Sequence, residues 1–220
     1  MLDQAWEELP SPWLQAFELA WESYRAGSPP VGAVVLGPDG AVVARGRSRR
    51  SEGAGSAPPN HLAGSRLAHA EINALAQLPV DHHAGHELYV TLESCLLCWA
   101  AIRIARVPLV HFAGQDPQWR FLGQLAGPQP ALVDRATSMD GPMAGPFGAW
   151  ATLLPLVERL WRDPTGIRID HFRQSVPALV DLADQIVSDG TAARFVGWTQ
   201  QEALASIWDD LVAAAGQRRT

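Results

Sequence analysis

Two short stretches carry side chains that could do chemistry together: His69-Ala70-Glu71 and Cys95-Leu96-Leu97-Cys98. They supply one imidazole, two thiols and one carboxylate. Cys95 and Cys98 are the only cysteines of the chain. A lone pair three residues apart is not a secreted disulfide framework; it is a redox pair or two ligands of one metal ion. A catalytic zinc takes three protein ligands in a tetrahedron and keeps its fourth position for water. One His and two Cys meet that count, and no third cysteine exists to close the site. Cys95 and Cys98 lie one helical turn apart, so both sulfurs can reach one ion, and a helix N-terminus there favours thiolates. His69 would be the third ligand. Glu71, two residues on, can approach the ion without binding it. Zinc lowers the pKa of its water to about 7. A carboxylate so placed can carry a proton from that water to a ring nitrogen and to a departing amine. The expected chemistry is attack of water on an amidine-like carbon with loss of ammonia.

Each motif alone says less. His-x-Glu recurs by chance, and Cys-x-x-Cys also marks thioredoxin-like pairs or two core cysteines. Thioredoxin-like pairs lie near the start of a βαβ chain, whereas this one follows a hairpin and a helix. Jointly, each at the expected start of a helix, the two motifs point to catalytic zinc. A purely structural zinc is the alternative, and Glu71 argues against it, because a staple has no use for a proton carrier. His82, His83 and His86 crowd a segment beside Asp81 and read as a solvated turn rather than a second metal site; His61, His111 and His171 stand alone.

The elements that would position these groups can be traced along the chain. Ser11 and Pro12 suit a helix start, and Leu14, Phe17, Trp21 and Tyr24 fall on one face up to a stop at Gly27. Val31–Leu36 and Ala41–Arg45 read as strands of a hairpin around Gly37-Pro38-Asp39-Gly40. Residues 49–66 form a long loop. A helix is expected over 68–78, a strand over 87–92, a helix over 95–106 capped by Ser94, and a strand over 109–113. This order predicts a layered α/β domain with a mixed sheet. Beyond Gly114 the chain becomes rich in Gly and Pro. Three helices then follow, near 150–161, 177–187 and from Thr199, where Thr199 and Glu202 make a capping-box pattern. The Trp residues at helical spacing read as core.

Composition narrows the function classes. The 220-residue chain is 47% hydrophobic with a formal charge of −6 and no Lys. No segment nears the roughly 18 apolar residues of a membrane helix, and no targeting signal is evident, so a cytoplasmic protein without a membrane partner is expected. An acidic chain lacks the broad basic surface that polyanions attract. That favours a small-molecule base, nucleoside or nucleotide as partner and argues against nucleic acid. Arg45, Arg47, Arg49 and Arg50 read as a solvated strand end, with a small patch that meets a phosphate as the alternative.

The residues resemble the cytidine deaminase-like zinc superfamily, in its branch of guanine, cytosine and tRNA adenosine deaminases. The matching pieces are Pro30-Val31-Gly32-Ala33-Val34-Val35, His69 to Leu75, and Leu88 to Cys98. The resemblance covers roughly residues 10 to 120. It implies a three-layer α/β/α sandwich around a mixed sheet of about five strands. It also implies zinc on His69, Cys95 and Cys98, Glu71 as proton shuttle, and a homodimer. Residues 1–125 would be the zinc-dependent deaminase domain and 126–220 a helical C-terminal extension packed on it. Ser48, Ala70 and Asp116 fall where substrate would be held. The chain departs from the family in having Ser94 where Pro commonly precedes the first Cys, and Ser48 where an Asn commonly follows the second strand. The expected function is hydrolytic deamination of a nucleobase, nucleoside or nucleotide. The alternatives are tRNA adenosine editing and a non-catalytic, zinc-stabilised binding protein.

Overall fold

The computed structural model describes residues 1–80, 83–119, 122, 124, 136–162 and 169–216. After helix α1 (Leu2–Glu7), the chain enters α2 (Ser11–Arg25). Ser11 does not cap α2: Pro10 holds the cap position, and the Ser11 hydroxyl accepts a hydrogen bond from Gln15 Nε2 at 3.0 Å. Gly27, at φ +77°, ends this segment in the left-handed region that glycine adopts without a Cβ penalty. Strands β1 (Gly32–Leu36) and β2 (Val42–Arg47) form the expected antiparallel hairpin. Helix α3 (Ala70–Leu75) is shorter than the periodicity suggests, because Ala68 and His69 stay extended ahead of it.

Strand β3 (Glu87–Leu92) pairs antiparallel with β1, and β4 (Leu109–Gly114) pairs parallel with β3 across helix α4 (Leu96–Ile104). A short β5 (Ser138–Asp140), absent from the sequence reading, extends the sheet in parallel beyond β4. The order β2-β1-β3-β4-β5 gives the mixed five-stranded sheet expected of the cytidine deaminase-like fold.

Alternation along the strands sorts side chains to two cores. Leu88, Val90, Val110 and Phe112 meet Ala70 and Ala74 of α3 and Ile102 of α4 on one face. Tyr89 and Ala113 turn to the other, where α2 and a long helix α5 (Gly145–Arg162) lie. The remaining helices, α6 (Asp170–Ser175), α7 (Pro177–Ser188), α8 (Thr191–Phe195) and α9 (Gln200–Gly216), join that second core. Its members run from Leu2 to Ala214, so α2 and the C-terminal helices share one apolar interior. Two buried polar tips tie them further. The Trp21 indole donates to the Trp198 carbonyl at 3.2 Å, and the Tyr24 hydroxyl donates to the Ala192 carbonyl at 2.7 Å. The capping box at α9 forms as read: the Thr199 amide donates to Glu202 Oε2 at 2.7 Å, and the Glu202 amide donates to Thr199 Oγ1 at 3.2 Å. The boundary expected at 125/126 lies outside the described residues.

His83 is only 4% exposed, with Nε2 3.1 Å from the Pro79 carbonyl, so that segment is not the solvated turn expected; His82 lies outside the described residues. No helix among the described residues is long and apolar enough to cross a membrane.

Close packing of α3 on β2 sets where the His69 segment sits. A Cβ at Gly46 would overlap the Ala70 carbonyl and the Ala74 amide, so only glycine lets the helix lie this close. Asn73, fully buried, fastens the same helix: its Nδ2 donates to the carbonyls of Arg47 at 2.9 Å and Leu62 at 3.1 Å, and its Oδ1 accepts from the Leu62 amide at 2.7 Å. We therefore expect Gly46→Ala to cost about 2–3 kcal/mol through overpacking. In thermal unfolding that would lower Tm by roughly 5–10 °C. An unchanged Tm would contradict the assigned packing.

Candidate zinc centre and cavity

The two motifs meet at one edge of the sheet, beyond the carboxyl ends of the parallel pair β3 and β4, where open α/β sheets hold ligands. His69 and Cys95 are the cap residues of α3 and α4, both in extended conformation (ψ 158° and 173°). Each side chain thus leaves its helix start toward the other. Among the described residues, His69, Cys95 and Cys98 form the one cluster whose donor atoms could hold a metal ion. Cys95 Sγ and Cys98 Sγ are 3.8 Å apart, and His69 Nδ1 lies 3.6 Å from the first sulfur and 3.4 Å from the second. Zinc bonds of about 2.3 Å to sulfur and 2.0–2.1 Å to nitrogen, at tetrahedral angles, require edges of about 3.8 Å between sulfurs and 3.5–3.6 Å from sulfur to nitrogen. The donors therefore already span three corners of a zinc tetrahedron, and the residues fit the ion.

The protons on these groups reflect their crowding. A hydrogen bond from Cys98 pulls the Cys95 thiol down to about 4, against the opposing effect of burial and with help from His69. The same contact, with burial, pushes Cys98 well up, and hydrogen bonding to Cys95 raises His69. Glu71 is 3% exposed. Burial, then the negative charge on Cys95, raises its carboxyl above the ordinary value.

Ser94 does not cap α4; Cys95 holds that position. The Ser94 hydroxyl, itself buried, donates instead to Glu71 Oε1 at 3.0 Å. This is a second hold on the carboxylate that the sequence reading missed, since a Ser before a helix reads as a cap.

A cavity of about 540 Å³ opens on this cluster. Ser48, Ala70 and Asp116 lie on its wall with His69, Glu71 and Cys95; Cys98 is fully buried and is not part of the lining. Ser48 Oγ is buried without a hydrogen-bond partner. Asp116 is 4% exposed; its Oδ1 accepts from the Gln118 amide at 3.1 Å, and its own amide donates to Glu93 Oε2, also at 3.1 Å. Glu93, Trp119, Arg66 and three α5 residues, Glu158, Arg159 and Arg162, complete much of the lining and were not foreseen. Arg50, read as part of a solvated strand end, lines it too. In sequence α5 shows only an apolar stripe with charges beside it, which carries no sign that those charges face a cavity.

Residues 11–113 match the family model of the cytidine and deoxycytidylate deaminase zinc-binding region. A solved structure from work on A-to-I editing by tRNA:A34 deaminases is 30% identical and is covered over 95% of its length, against 59% of this chain, with a TM-score of 0.49. Residues 11–113 of the chain belong to the cytidine and deoxycytidylate deaminase zinc-binding family. Zinc is that family's metal, and the deaminases matched here are hydrolases of C–N bonds. The tRNA-specific adenosine deaminase of Agrobacterium fabrum is 37% identical over 93 residues, 40% of this chain and 54% of that protein. The tRNA(Ile)-lysidine synthase of Deinococcus radiodurans is 33% identical over 139 residues, 60% of this chain and 22% of that protein. The chain thus spans about half of the first and about a fifth of the second.

These relatives overturn the expectation of a small-molecule partner without nucleic acid, because those two are named for their action on tRNA. The argument from charge failed for a physical reason. A total of −6 sums the whole surface and does not say where the charges lie; at this cavity four Arg side chains stand beside four carboxyl groups, Glu71, Glu93, Asp116 and Glu158.

The donor geometry has a direct consequence. We expect gently purified protein to carry stoichiometric zinc by elemental analysis, and Cys98→Ser to carry far less. Full zinc occupancy in Cys98→Ser would remove Cys98 from the metal site.

Proposed function

We propose that the chain is a zinc-dependent hydrolytic deaminase of adenosine in RNA of the tRNA type. The observation that carries the reading is the cavity itself. It joins a metal-ready donor trio and a buried carboxylate on one side to guanidinium groups and an indole on the other. Membership of the deaminase family supports the reaction, and identity to tRNA-specific adenosine deaminases supports the substrate. A tRNA substrate carries the expected cytoplasmic location with it.

In this reading His69, Cys95 and Cys98 hold zinc. When bound, zinc supplies the polarisation that makes water a nucleophile near neutral pH. The work of the chain's own residues is proton transfer and placement. An adenine presented to the cavity offers C6 to water. Glu71 takes a proton from the water, gives it to ring N1, and carries the second to the departing amine. The C6–O bond forms, the C6–N bond breaks, and inosine and ammonia result. Ser94 holds the Glu71 carboxylate by its 3.0 Å hydrogen bond. Ser48 would spend its unpaired hydroxyl on the base or ribose, the Ala70 backbone would border the base, and Asp116 would face its edge.

The test is inosine formation. Zinc-loaded protein incubated with tRNA should yield inosine by mass spectrometry of the digested nucleosides. Release of ammonia from free guanine or cytosine alone, with no inosine in tRNA, would defeat the substrate assignment. Glu71→Gln should keep its zinc and lose about 10²–10⁴ in turnover; near-normal activity would end the proton-carrier role. Ser94→Ala should keep zinc and fold but lose roughly tenfold or more in kcat with KM little changed. A rise in KM alone would move Ser94 from carboxylate positioning to substrate binding.

A further inference from the structure

The cavity has a wall that the family match does not include. Helix α5 lies beyond residues 11–113, and it brings Glu158, Arg159 and Arg162 to the lining, while Arg50 comes from the segment after β2. The charges on this wall do not balance. Glu158 is 8% exposed and pairs with Arg162 at 2.9 Å. Arg159 and Arg50 also act on it electrostatically, so three cations gather about one carboxylate. The other acids of the lining are engaged elsewhere: Glu71 with Ser94, Glu93 with the Asp116 amide, and Asp116 with the Gln118 amide.

Arg159 is the telling residue. Its guanidinium lies over the Phe172 ring, 5.5 Å from the centroid, which fixes its direction. Its Nη1 is nevertheless buried with no hydrogen-bond partner. A buried cationic N–H that meets no acceptor is unfavourable, and an anion arriving with oxygen acceptors relieves it. Planar guanidinium groups suit phosphate oxygens in particular. Trp119 on the same lining offers a face for stacking a neighbouring base.

We propose that Arg50, Arg159 and Arg162 form a phosphate subsite that grips one backbone phosphodiester beside the base held in the cavity. The proposal rests on the RNA reading above and adds to it: a helix outside the matched deaminase region supplies substrate contacts.

Salt dependence reads such contacts directly. On single-stranded nucleic acid each neutralised phosphate contributes about 0.7 to the slope of log K against log salt. Zinc-loaded protein would be titrated with a fluorescein-labelled RNA stem-loop carrying an adenosine in its loop, over a range of salt. Arg159→Gln and Arg50→Gln should each weaken binding roughly tenfold at low salt, and the double variant, which leaves only the Glu158-paired Arg162 at the phosphate, should reduce the slope by about 0.7. Arg50 is exposed, so its variant keeps the test open if Arg159→Gln loosens α5. Unchanged affinity in both single variants and an unchanged slope in the double variant, with RNA still bound and deaminated by the parent protein, overturn the subsite and leave the RNA reading standing. A parent protein that neither binds nor deaminates RNA overturns both. Adenosine 5′-monophosphate forms a second arm. If its affinity falls in the variants while the RNA slope does not, the phosphate belongs to a free nucleotide and the backbone subsite is overturned.

Discussion

Everything chemical in this protein depends on bringing three soft donors within 4 Å of one another from two separate helices. Cys95 and Cys98 share a helix start and are close by local geometry, but His69 reaches them only if α3 and α4 begin at the same point of the sheet edge. The sheet enforces this. β3 and β4 are parallel neighbours, so α4 must cross back over one face, and α3 lies beside it on that face over β1 and β2. Gly46 and Asn73 then set the height and register of α3. A zinc tetrahedron tolerates errors of a few tenths of an ångström, and backbone-to-backbone contact at Gly46 is stiffer than any side-chain packing would be.

The same edge concentrates carboxyl groups that would repel one another in an unprotected site. Each is handled differently. Glu71 is buried and held by Ser94. Glu93 and Asp116 meet through a backbone amide, which ties the segments after β3 and β4 together. Glu158 is offset by arginines. Of the four, Glu71 is the one beside the donor trio whose hydrogen bonds come from other side chains rather than a backbone amide of the far wall.

The parts legible in the sequence are those governed by short-range rules. Turn residues gave the β1–β2 hairpin, apolar runs gave β3 and β4, and ligand chemistry singled out His69, Glu71, Cys95 and Cys98. The capping box at Thr199 and Glu202 was readable because its partners are three residues apart. Elements of three to six residues, such as α1, β5, α6 and α8, are too short to show a period, and β5 exists only because β4 offers an open edge. Ser94 was misread for a related reason. A Ser before a helix has two possible partners, the amide donors of the helix start nearby and a carboxylate acceptor 23 residues away in sequence, and only the fold puts Glu71 within reach.

The least legible feature was the second wall of the cavity. Nothing in the run Val157-Glu158-Arg159-Leu160-Trp161-Arg162 separates a solvated helix face from a ligand-facing one. The distinction comes from the opposite side of α5, whose apolar residues pack with α2, α7 and α9 into one core and so fix which way the charged stripe points. Helices that read as an addition to the metal domain thereby orient guanidinium groups toward the metal side. The total charge of −6 says nothing of this, since acids spread over the exposed faces of α7 and α9 outweigh a few arginines gathered at one opening. Screening makes the distant acids weak at that opening, because their fields decay within about 8–10 Å at moderate salt. An approaching phosphate therefore responds to the groups at the opening itself, where Glu158 is the one carboxylate set among Arg50, Arg159 and Arg162 while Glu71, Glu93 and Asp116 lie on the same lining.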